Sequence, residues 1–250
     1  MESSLYDNIF EVERSHWWYR ARRDIIFFWL EKLIKSNPNI KILDIGCGTG
    51  YNLYQIKGMG VTNTFGLDIS LKALRYSRER DLDRLFSADL SALPVQDKSI
   101  DVVLALDILE HIDNDFNALH EIHRTLAPEG NLIIFVPAFS FLWGLQDEIS
   151  HHYRRYTIRE LKKILGTVGF KTLKISYLNT ILFPLIFIGR FLYRLNNNIY
   201  KVDSESQLTP TWMNRILYSI FYSELSLLKF INLPFGVSIL VICKKADSND

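Results

Sequence analysis

The sequence predicts an α/β protein built on a doubly wound parallel sheet with helices on both faces. Two observations support this prediction. Short apolar segments alternate with amphipathic ones between residues 40 and 177, a pattern typical of consecutive βαβ units. The segment Ile100–Leu106 is almost continuously apolar, as expected for a strand buried on both faces. Ligands of such sheets bind outside the carboxyl ends of the strands, so the residues at those ends are the first candidates for a binding site.

The elements follow in order from periodicity and capping signals. A helix is predicted over 15–35, with apolar residues at helical spacing, ending before Asn37-Pro38. The strands predicted next are Ile40–Ile45, Thr64–Ile69, Leu85–Ala88, Ile100–Leu106 and Asn131–Val136, and the helices between them include Leu71–Arg80 and Asp115–Leu126. Thr157 is placed to cap a helix over Ile158–Val168 that ends at Gly169. Lys171–Tyr177 and Gly236–Cys243 are the last predicted strands.

The segment 180–235 interrupts this alternation. It holds 11 of the 33 aromatic residues in 56 positions. Two apolar helical stretches are separated by a polar loop, Asn196–Thr211. Three interpretations of this insert stay open, besides extra core helices: a substrate lid, a membrane-surface patch and a dimer interface.

Composition excludes several classes of protein. The 250 residues include 29 Lys and Arg against 28 Asp and Glu, a net charge of +1, with 48% hydrophobic residues, which argues against disorder and against a general nucleic-acid binder. Two cysteines fit neither a disulfide framework nor a metal site. The uncharged stretch Ile175–Gly189 has 15 residues, fewer than a membrane-spanning helix needs. With no apolar leader at the N-terminus, a cytoplasmic protein is expected.

The chemistry concentrates at the ends of the first four strands. A glycine-rich turn, GCGTG at 46–50, follows the first strand, and Asp44, Asp68, Asp89 and Asp107 stand at successive strand ends. Glycines let a ligand approach the backbone closely, and the turn contains no Lys or Arg to hold a phosphate. The four acids therefore favour a ligand with ribose, adenine and positive charge, which describes S-adenosylmethionine. A nicotinamide-dependent oxidoreductase is the enzymatic alternative, but its fingerprint requires glycine where this chain has Tyr51.

The motifs ILDIGCGTG, GLDIS, SADLSALPVQDKSIDVVLALDILEHI and LAPEGNLIIFVPA, in this order and spacing, resemble those of class I S-adenosylmethionine-dependent methyltransferases. The resemblance covers about Ile40 to Pro137. It implies a Rossmann-like seven-stranded sheet whose last strand is antiparallel. It also implies a cofactor site with the methionine part against the glycine turn, the ribose on Asp68 and the adenine near Ile69 and Asp89. The complete cofactor set implied along the core is Asp44, Gly46, Cys47, Gly48, Gly50, Asn52, Asp68, Ile69, Ala88, Asp89, Leu90, Leu106, Asp107 and His111.

Two flanking clusters resemble a subgroup of these enzymes from cell-surface glycan and lipid-linked sugar pathways. In the first, HWWYRARR at 16–23, Trp17 or Tyr19 is expected to pack on the cofactor and Arg20 or Arg23 to pair with its carboxylate. In the second, HHYRRY at 151–156, either His151 or His152 is expected to be a general base. Tyr153, Arg154 and Arg155, which directly follow the two histidines, are expected to hold the acceptor.

The resulting prediction is a methyltransferase acting on oxygen of a small-molecule, sugar or lipid-linked acceptor. Its expected units are an N-terminal helical lid (1–39), a core (40–179 and 236–245) and the apolar insert (180–235). We expect no resident metal and no nucleic-acid partner. The insert makes the inner membrane face and a second copy of the chain candidate partners. A non-catalytic scaffold that binds a membrane or a protein is the alternative from outside the enzymes.

Overall fold

The computed structural model describes residues 3–195 and 210–246. Seven strands form one sheet in the order β3-β2-β1-β4-β5-β7-β6. The strands are β1 (Ile42–Ile45), β2 (Thr64–Leu67), β3 (Leu85–Phe86), β4 (Ile100–Leu106), β5 (Leu126–Pro137), β6 (Phe170–Leu178) and β7 (Ser238–Lys245). All neighbours pair in parallel except β7, which runs antiparallel to β5 and β6. The predicted sheet with an antiparallel last strand is therefore confirmed.

Nine α-helices surround this sheet within the described ranges. They are α1 (Ser3–Val12), α2 (Trp17–Ser36), α3 (Tyr51–Gly58), α4 (Leu71–Arg78), α5 (Asp115–Thr125), α6 (Leu145–Ile149), α7 (Ile158–Val168), α8 (Phe183–Leu195) and α9 (Thr211–Leu228). The bounds of β4 and α7 agree with the prediction. A capping box explains α7, because the Thr157 hydroxyl accepts from the Glu160 amide while the Glu160 carboxylate accepts from the Thr157 amide. Helix α1 was not among the helices predicted from the sequence.

The core lies on both faces of the sheet. On one face, β-strand residues pack under α5 and α7. On the other face they pack under α2 and α9, where Phe221, Leu225 and Leu228 of α9 are buried. Half of the apolar insert is thus a core layer that contacts α2. This burial explains part of the aromatic excess that the sequence shows in 180–235.

The other helix of the insert, α8, exposes apolar side chains. Leu185 is 68% exposed and Ile188 is 52% exposed. The predicted loop Asn196–Thr211 lies outside the described residues over 196–209. No helix in the described ranges is both long enough and apolar enough to cross a bilayer. The division of the chain into lid, core and insert stays a prediction.

Candidate active site

A cavity of about 690 Å³ runs along the carboxyl ends of the parallel strands. The turns after β1, β2 and β4 line it on one side. Tyr6 of α1, Glu13 directly after α1, and Trp17 of α2 line it as well. The segment that follows β5 completes its far end with His151 and His152. The position agrees with the general rule for ligand sites of open α/β sheets. The cavity is therefore the candidate active site.

The glycine turn after β1 is a tight, left-handed backbone segment. Gly46, Gly48 and Gly50 have φ angles of 66°, 56° and 78°, a region that side chains with a Cβ rarely adopt. A Cβ on Gly46 would also lie 2.6 Å from the Ile108 side chain. The glycines thus let the backbone pass close to the segment that follows β4.

Asp44, at the end of β1, is a buried carboxylate with incomplete hydrogen bonding. It is 1% exposed, and its Oδ2 has no hydrogen-bond partner among the described residues. Burial raises the pKa of Asp44 to about 7, although the nearby Arg22 guanidinium opposes this rise and Asp68 adds to it. A cationic group next to the turn, such as the ammonium group of S-adenosylmethionine, would supply the missing partner. The residue therefore fits the expected cofactor, although it does not itself line the cavity.

Asp68 and Asp89 lie on the side of the cavity formed by β2 and β3. The Asp68 carboxylate accepts from the Gly48 amide at 2.9 Å and from the Ser70 amide at 2.8 Å, so it ties the glycine turn to the start of α4. Asp89 is exposed and accepts from the Ser91 amide at 2.7 Å. Ile69 lines the same region and is 68% exposed. An apolar side chain left uncovered beside two carboxylates suits an adenosine, which needs stacking and hydrogen-bond acceptors.

Arg22 is the cation that the sequence analysis missed. It is buried in the cavity wall, forms an ion pair with Asp107, and stacks over the rings of Trp18 and Phe135. Burial lowers the pKa of Arg22 to about 10, so it stays protonated at neutral pH. The expected Arg20 does not line the cavity; its guanidinium lies 4.6 Å from the ring centroid of Tyr218 on α9.

Helix α1 is anchored to the glycine turn through Glu13. The Glu13 carboxylate accepts from the Thr49 hydroxyl at 2.5 Å and from Arg80 at 2.6 Å. The Glu13 carbonyl also accepts from Arg23 at 3.2 Å, which removes Arg23 as a free partner for a ligand. These contacts hold the N-terminal helices over the cofactor side of the cavity.

The far end of the cavity is organised around Asp147. This carboxylate is 1% exposed and accepts from Arg155 Nη1 at 2.8 and 3.0 Å, and it lies 2.9 Å from His152 Nδ1. Burial would raise the pKa of Asp147, but His152, Arg155 and Arg190 together lower it to about 2. Asp147 therefore stays ionised and fixes the His152 ring. Arg155 is fully engaged, because it also donates to the carbonyls of two neighbouring segments.

Glu110 and His111 follow β4 and face this same end. Glu110 is fully buried, and neither of its carboxylate oxygens has a hydrogen-bond partner in the described residues. Burial raises the pKa of Glu110 to about 8. The His111 ring lies edge-on to His152 at 4.5 Å between centroids, and burial, reinforced by His152, lowers its pKa to about 3. One ligand atom from each of Glu110, His111 and His152 lies within 4.8 Å of the other two, so these residue types could hold a metal ion.

The structure brings most of the predicted site residues to one cavity. Those that line it are Trp17, Gly46, Cys47, Gly48, Asn52, Asp68, Ile69, Ala88, Asp89, Leu90, Leu106, Asp107, His111, His151, His152, Tyr153 and Arg155. Arg20, Asp44, Gly50 and Arg154 do not line it. Arg154 instead pairs with Asp115 at 3.2 Å. The roles of all these residues stay predictions.

Several other lining residues besides Arg22 were not predicted, among them Glu110, Asp147 and Asn179. Glu110 and Asp147 gave no signal, because a single acid inside a motif or a short helix resembles a capping residue. Asn179 follows β6 with φ 60°, is fully buried, and has both side-chain polar atoms without a partner in the described residues. Its backbone amide donates to Glu224 of α9 at 2.8 Å. This contact joins residues 45 positions apart, so the local sequence pattern does not predict it.

Comparisons with known proteins agree with this geometry. The family model described as a methyltransferase domain matches residues 43–134. An uncharacterized protein of Methanocaldococcus jannaschii is 35% identical over 170 residues, 66% of this chain and 70% of that protein. A probable S-adenosylmethionine-dependent methyltransferase of Mycolicibacterium smegmatis is 27% identical over 164 residues, 64% of this chain and 62% of that protein. The chain belongs to the class I S-adenosylmethionine-dependent methyltransferases. S-adenosylmethionine is its cofactor.

Relatives with another activity also share this domain. The mitochondrial arginine-hydroxylase NDUFAF5 of Mus musculus is 26% identical over 196 residues, 69% of this chain and 57% of that protein. The chain thus spans less than two thirds of two of these three relatives.

Solved methyltransferase structures share the fold. A possible histamine N-methyltransferase of Thermotoga maritima has a TM-score of 0.58 at 17% identity and covers 97% of this chain and 95% of its own. An S-adenosylmethionine-dependent methyltransferase of Archaeoglobus fulgidus has a TM-score of 0.55 at 22% identity, with 89% and 94% covered. At these identities the likeness supports the architecture of the methyltransferase, and the acceptor has to be argued from the site.

Proposed function

We propose that this methyltransferase transfers the methyl group of S-adenosylmethionine to an oxygen atom of a small-molecule, sugar or lipid-linked acceptor. One observation carries the proposal: the cofactor-side residues Asp68 and Asp89 line the same cavity as the His152–Asp147 pair. Asp44, Asp68 and Asp89 supply negative charge and acceptors at one end. Polar side chains that suit a hydroxyl-bearing acceptor stand at the other. The bound cofactor supplies an electrophilic methyl group on a cationic sulfur.

His152 marks the acceptor end more strongly than His151. The His152 ring is fixed by Asp147 at 2.9 Å, whereas the His151 residue is exposed and has a φ of 54°. A fixed ring holds its second nitrogen in one place, as positioning of an acceptor oxygen requires. Arg155 supports this arrangement through Asp147, which gives it a positioning role in the proposal. Tyr153 is 60% exposed at the cavity mouth and is free to contact the acceptor.

The lipid-linked part of the proposal rests on a second pocket next to the cavity. It has a volume of about 560 Å³ and is lined by Phe141, Phe183, Phe187 and Phe191. Ile186 and Arg190 of the same helix line the main cavity. Helix α8 thus borders both the main cavity and an all-phenylalanine pocket. An acceptor with a polar head and a hydrocarbon tail fits both compartments at once.

The exposed apolar residues of α8 support attachment to a membrane surface, with the cytoplasmic face as the proposed side. Residues 180–202 include three cations and no acid. An apolar helix with basic neighbours is typical of a segment that lies at a lipid interface. A second copy of the chain is the alternative partner for the same surface.

Transfer of labelled methyl from S-adenosylmethionine into fractionated cell extract tests the acceptor class. We expect the label in a lipid-linked or glycan fraction. Methyl ethers would keep the label in alkali, and methyl esters would release it as methanol. Label only in protein or in RNA would refute the acceptor class, and label bound to nitrogen would refute the oxygen assignment.

Two variants make the test specific to the phenylalanine pocket. Phe187→Ala should lower transfer to a lipid-linked acceptor several-fold and leave cofactor affinity unchanged. Trp212→Ala removes an aromatic side chain that is 62% exposed on α9, and serves as the matched control. Equal losses in both variants would contradict a role of the pocket in acceptor binding.

A further inference from the structure

The acceptor end of the cavity contains two histidine side chains and one glutamate side chain close to one another. We propose that Glu110, His111 and His152 together bind one divalent first-row transition metal ion. Their ligand atoms lie within 4.8 Å of one another. Bonds of about 2.0–2.2 Å in a zinc-like site place ligand atoms about 3.5 Å apart, so side-chain rotations that bring the atoms about 1 Å closer complete the set. Two imidazoles and one carboxylate suit zinc, iron, cobalt or nickel better than magnesium or calcium.

Glu110 is the observation that points to a cation. A carboxylate at full burial normally has hydrogen-bond partners, since leaving it without them is costly. Both oxygens of Glu110 lack a partner in the described residues, and the residue lines the cavity. Arg155 lowers its pKa from a distance, but the two residues share no hydrogen bond. A bound cation would provide the missing partner at the point where the carboxylate faces the two imidazoles.

His152 has the outer-shell support that metal-binding histidines have. Such residues place one ring nitrogen on a carboxylate and present the other to the metal. Here Nδ1 lies 2.9 Å from Asp147 Oδ1, and Asp147 is itself held by Arg155 at 2.8 Å. The remaining nitrogen, Nε2, is thereby oriented. The Asp147–His152 pair is a preformed half of the site that needs no rearrangement of the backbone.

This inference rests on the proposed function for its chemical meaning. Three protein ligands leave at least one open position, which an acceptor hydroxyl can occupy. A bound cation lowers the pKa of that hydroxyl, so its proton passes to water. The oxygen then forms a bond to the methyl carbon as the carbon–sulfur bond breaks, leaving a neutral thioether. In this arrangement His152 is a ligand and replaces the general base expected from the sequence.

Metal binding can be measured without knowing the acceptor. Tag-free protein treated with a chelator is titrated with Co²⁺ and with Zn²⁺, by visible absorption and by calorimetry. We expect one ion per chain, with the visible bands of a four- or five-coordinate Co²⁺. His152→Ala and Glu110→Gln should each weaken binding at least tenfold, and Asp147→Asn about 10–100-fold. His151→Asn, a neighbouring histidine whose replacement tolerates the same left-handed backbone, should bind as the unmodified chain does.

The outcomes separate this proposal from the proposed function. If the chain binds S-adenosylmethionine but no metal, or if His151→Asn loses as much affinity as His152→Ala, the metal site is refuted and the methyltransferase assignment stands. If the metal binds as described but no oxygen acceptor is methylated, the site stands and the proposed function fails. Thermal unfolding of each variant shows whether a loss of binding comes from misfolding. His152 is less buried than Glu110, so His152→Ala keeps the test decisive if Glu110→Gln fails to fold.

Discussion

Asp44 gives the sharpest test of the cofactor side, because burying its ionised carboxylate lowers the stability of the fold. Its pKa rises from the ordinary 3.8 to about 7, mainly through burial. The folded protein therefore prefers the protonated carboxyl. Its contribution to stability is fully present below about pH 4 and is lost as the pH rises to about 7. That difference in pKa corresponds to about 4 kcal/mol of unfolding free energy for a buried group.

Asp44→Asn removes the charge and keeps the size of the side chain. Between pH 4 and pH 8, the free energy of unfolding of the original chain should fall relative to that of the variant by up to about 4 kcal/mol. Urea unfolding at half-unit pH intervals measures both curves. The difference between them isolates Asp44 from the other buried acids, since Glu110 and Asp68 remain in both proteins. Parallel curves would refute an elevated pKa at Asp44.

Cofactor binding should show the opposite pH trend. If the cofactor ammonium pairs with ionised Asp44, affinity rises as the pH passes about 7, and it should be about tenfold higher at pH 8 than at pH 6. Asp44→Asn should bind more weakly at pH 8 and show little dependence on pH in this range. Calorimetry with S-adenosylhomocysteine, which carries the same ammonium group, provides the measurement. An affinity in the original chain that is independent of pH would show that Asp44 does not meet the cation.

Three further variants test local parts of the structure. Gly46→Ala should lose about 1–3 kcal/mol more stability than Gly48→Ala, because both have positive φ but only the first Cβ would clash, at 2.6 Å from a neighbouring side chain; equal losses in urea unfolding would contradict this. Asp68→Ala should weaken cofactor binding about 10–100-fold in calorimetry, and exposed Asp89→Ala less; the reverse order would reject the ribose assignment. Thr157→Ala should cost about 1 kcal/mol of unfolding free energy through the lost helix cap, and an unchanged melting curve would argue against the cap.

The strands and the acids at their ends were predictable because their signals are local. Ile100–Leu106 is apolar except at Asp101 because both of its faces are covered, and Thr157 precedes a helix that begins at the next residue. The short strand β3 was predicted two residues too long. It contains only Leu85–Phe86 and pairs with β2 alone. Its length therefore depends on pairing with β2, which the local sequence pattern does not indicate.

The site shows the same limit more clearly in the choice between arginines. Residues 20, 22 and 23 all carry an arginine on one helix, and the sequence offers no reason to prefer one. The contacts of α2 distinguish them. Arg20 lies over the Tyr218 ring of α9, and Arg23 donates to the Glu13 carbonyl directly after α1.

Arg22 is the arginine left facing the cavity, where it pairs with Asp107. Both neighbouring helices come from parts of the chain outside the family motifs. The positions of the cofactor-side acids can therefore be predicted from the sequence. Which arginine faces the cavity depends on long-range packing and cannot. Substituting Arg22 should consequently alter cofactor affinity more than substituting Arg20, although both belong to the same cluster.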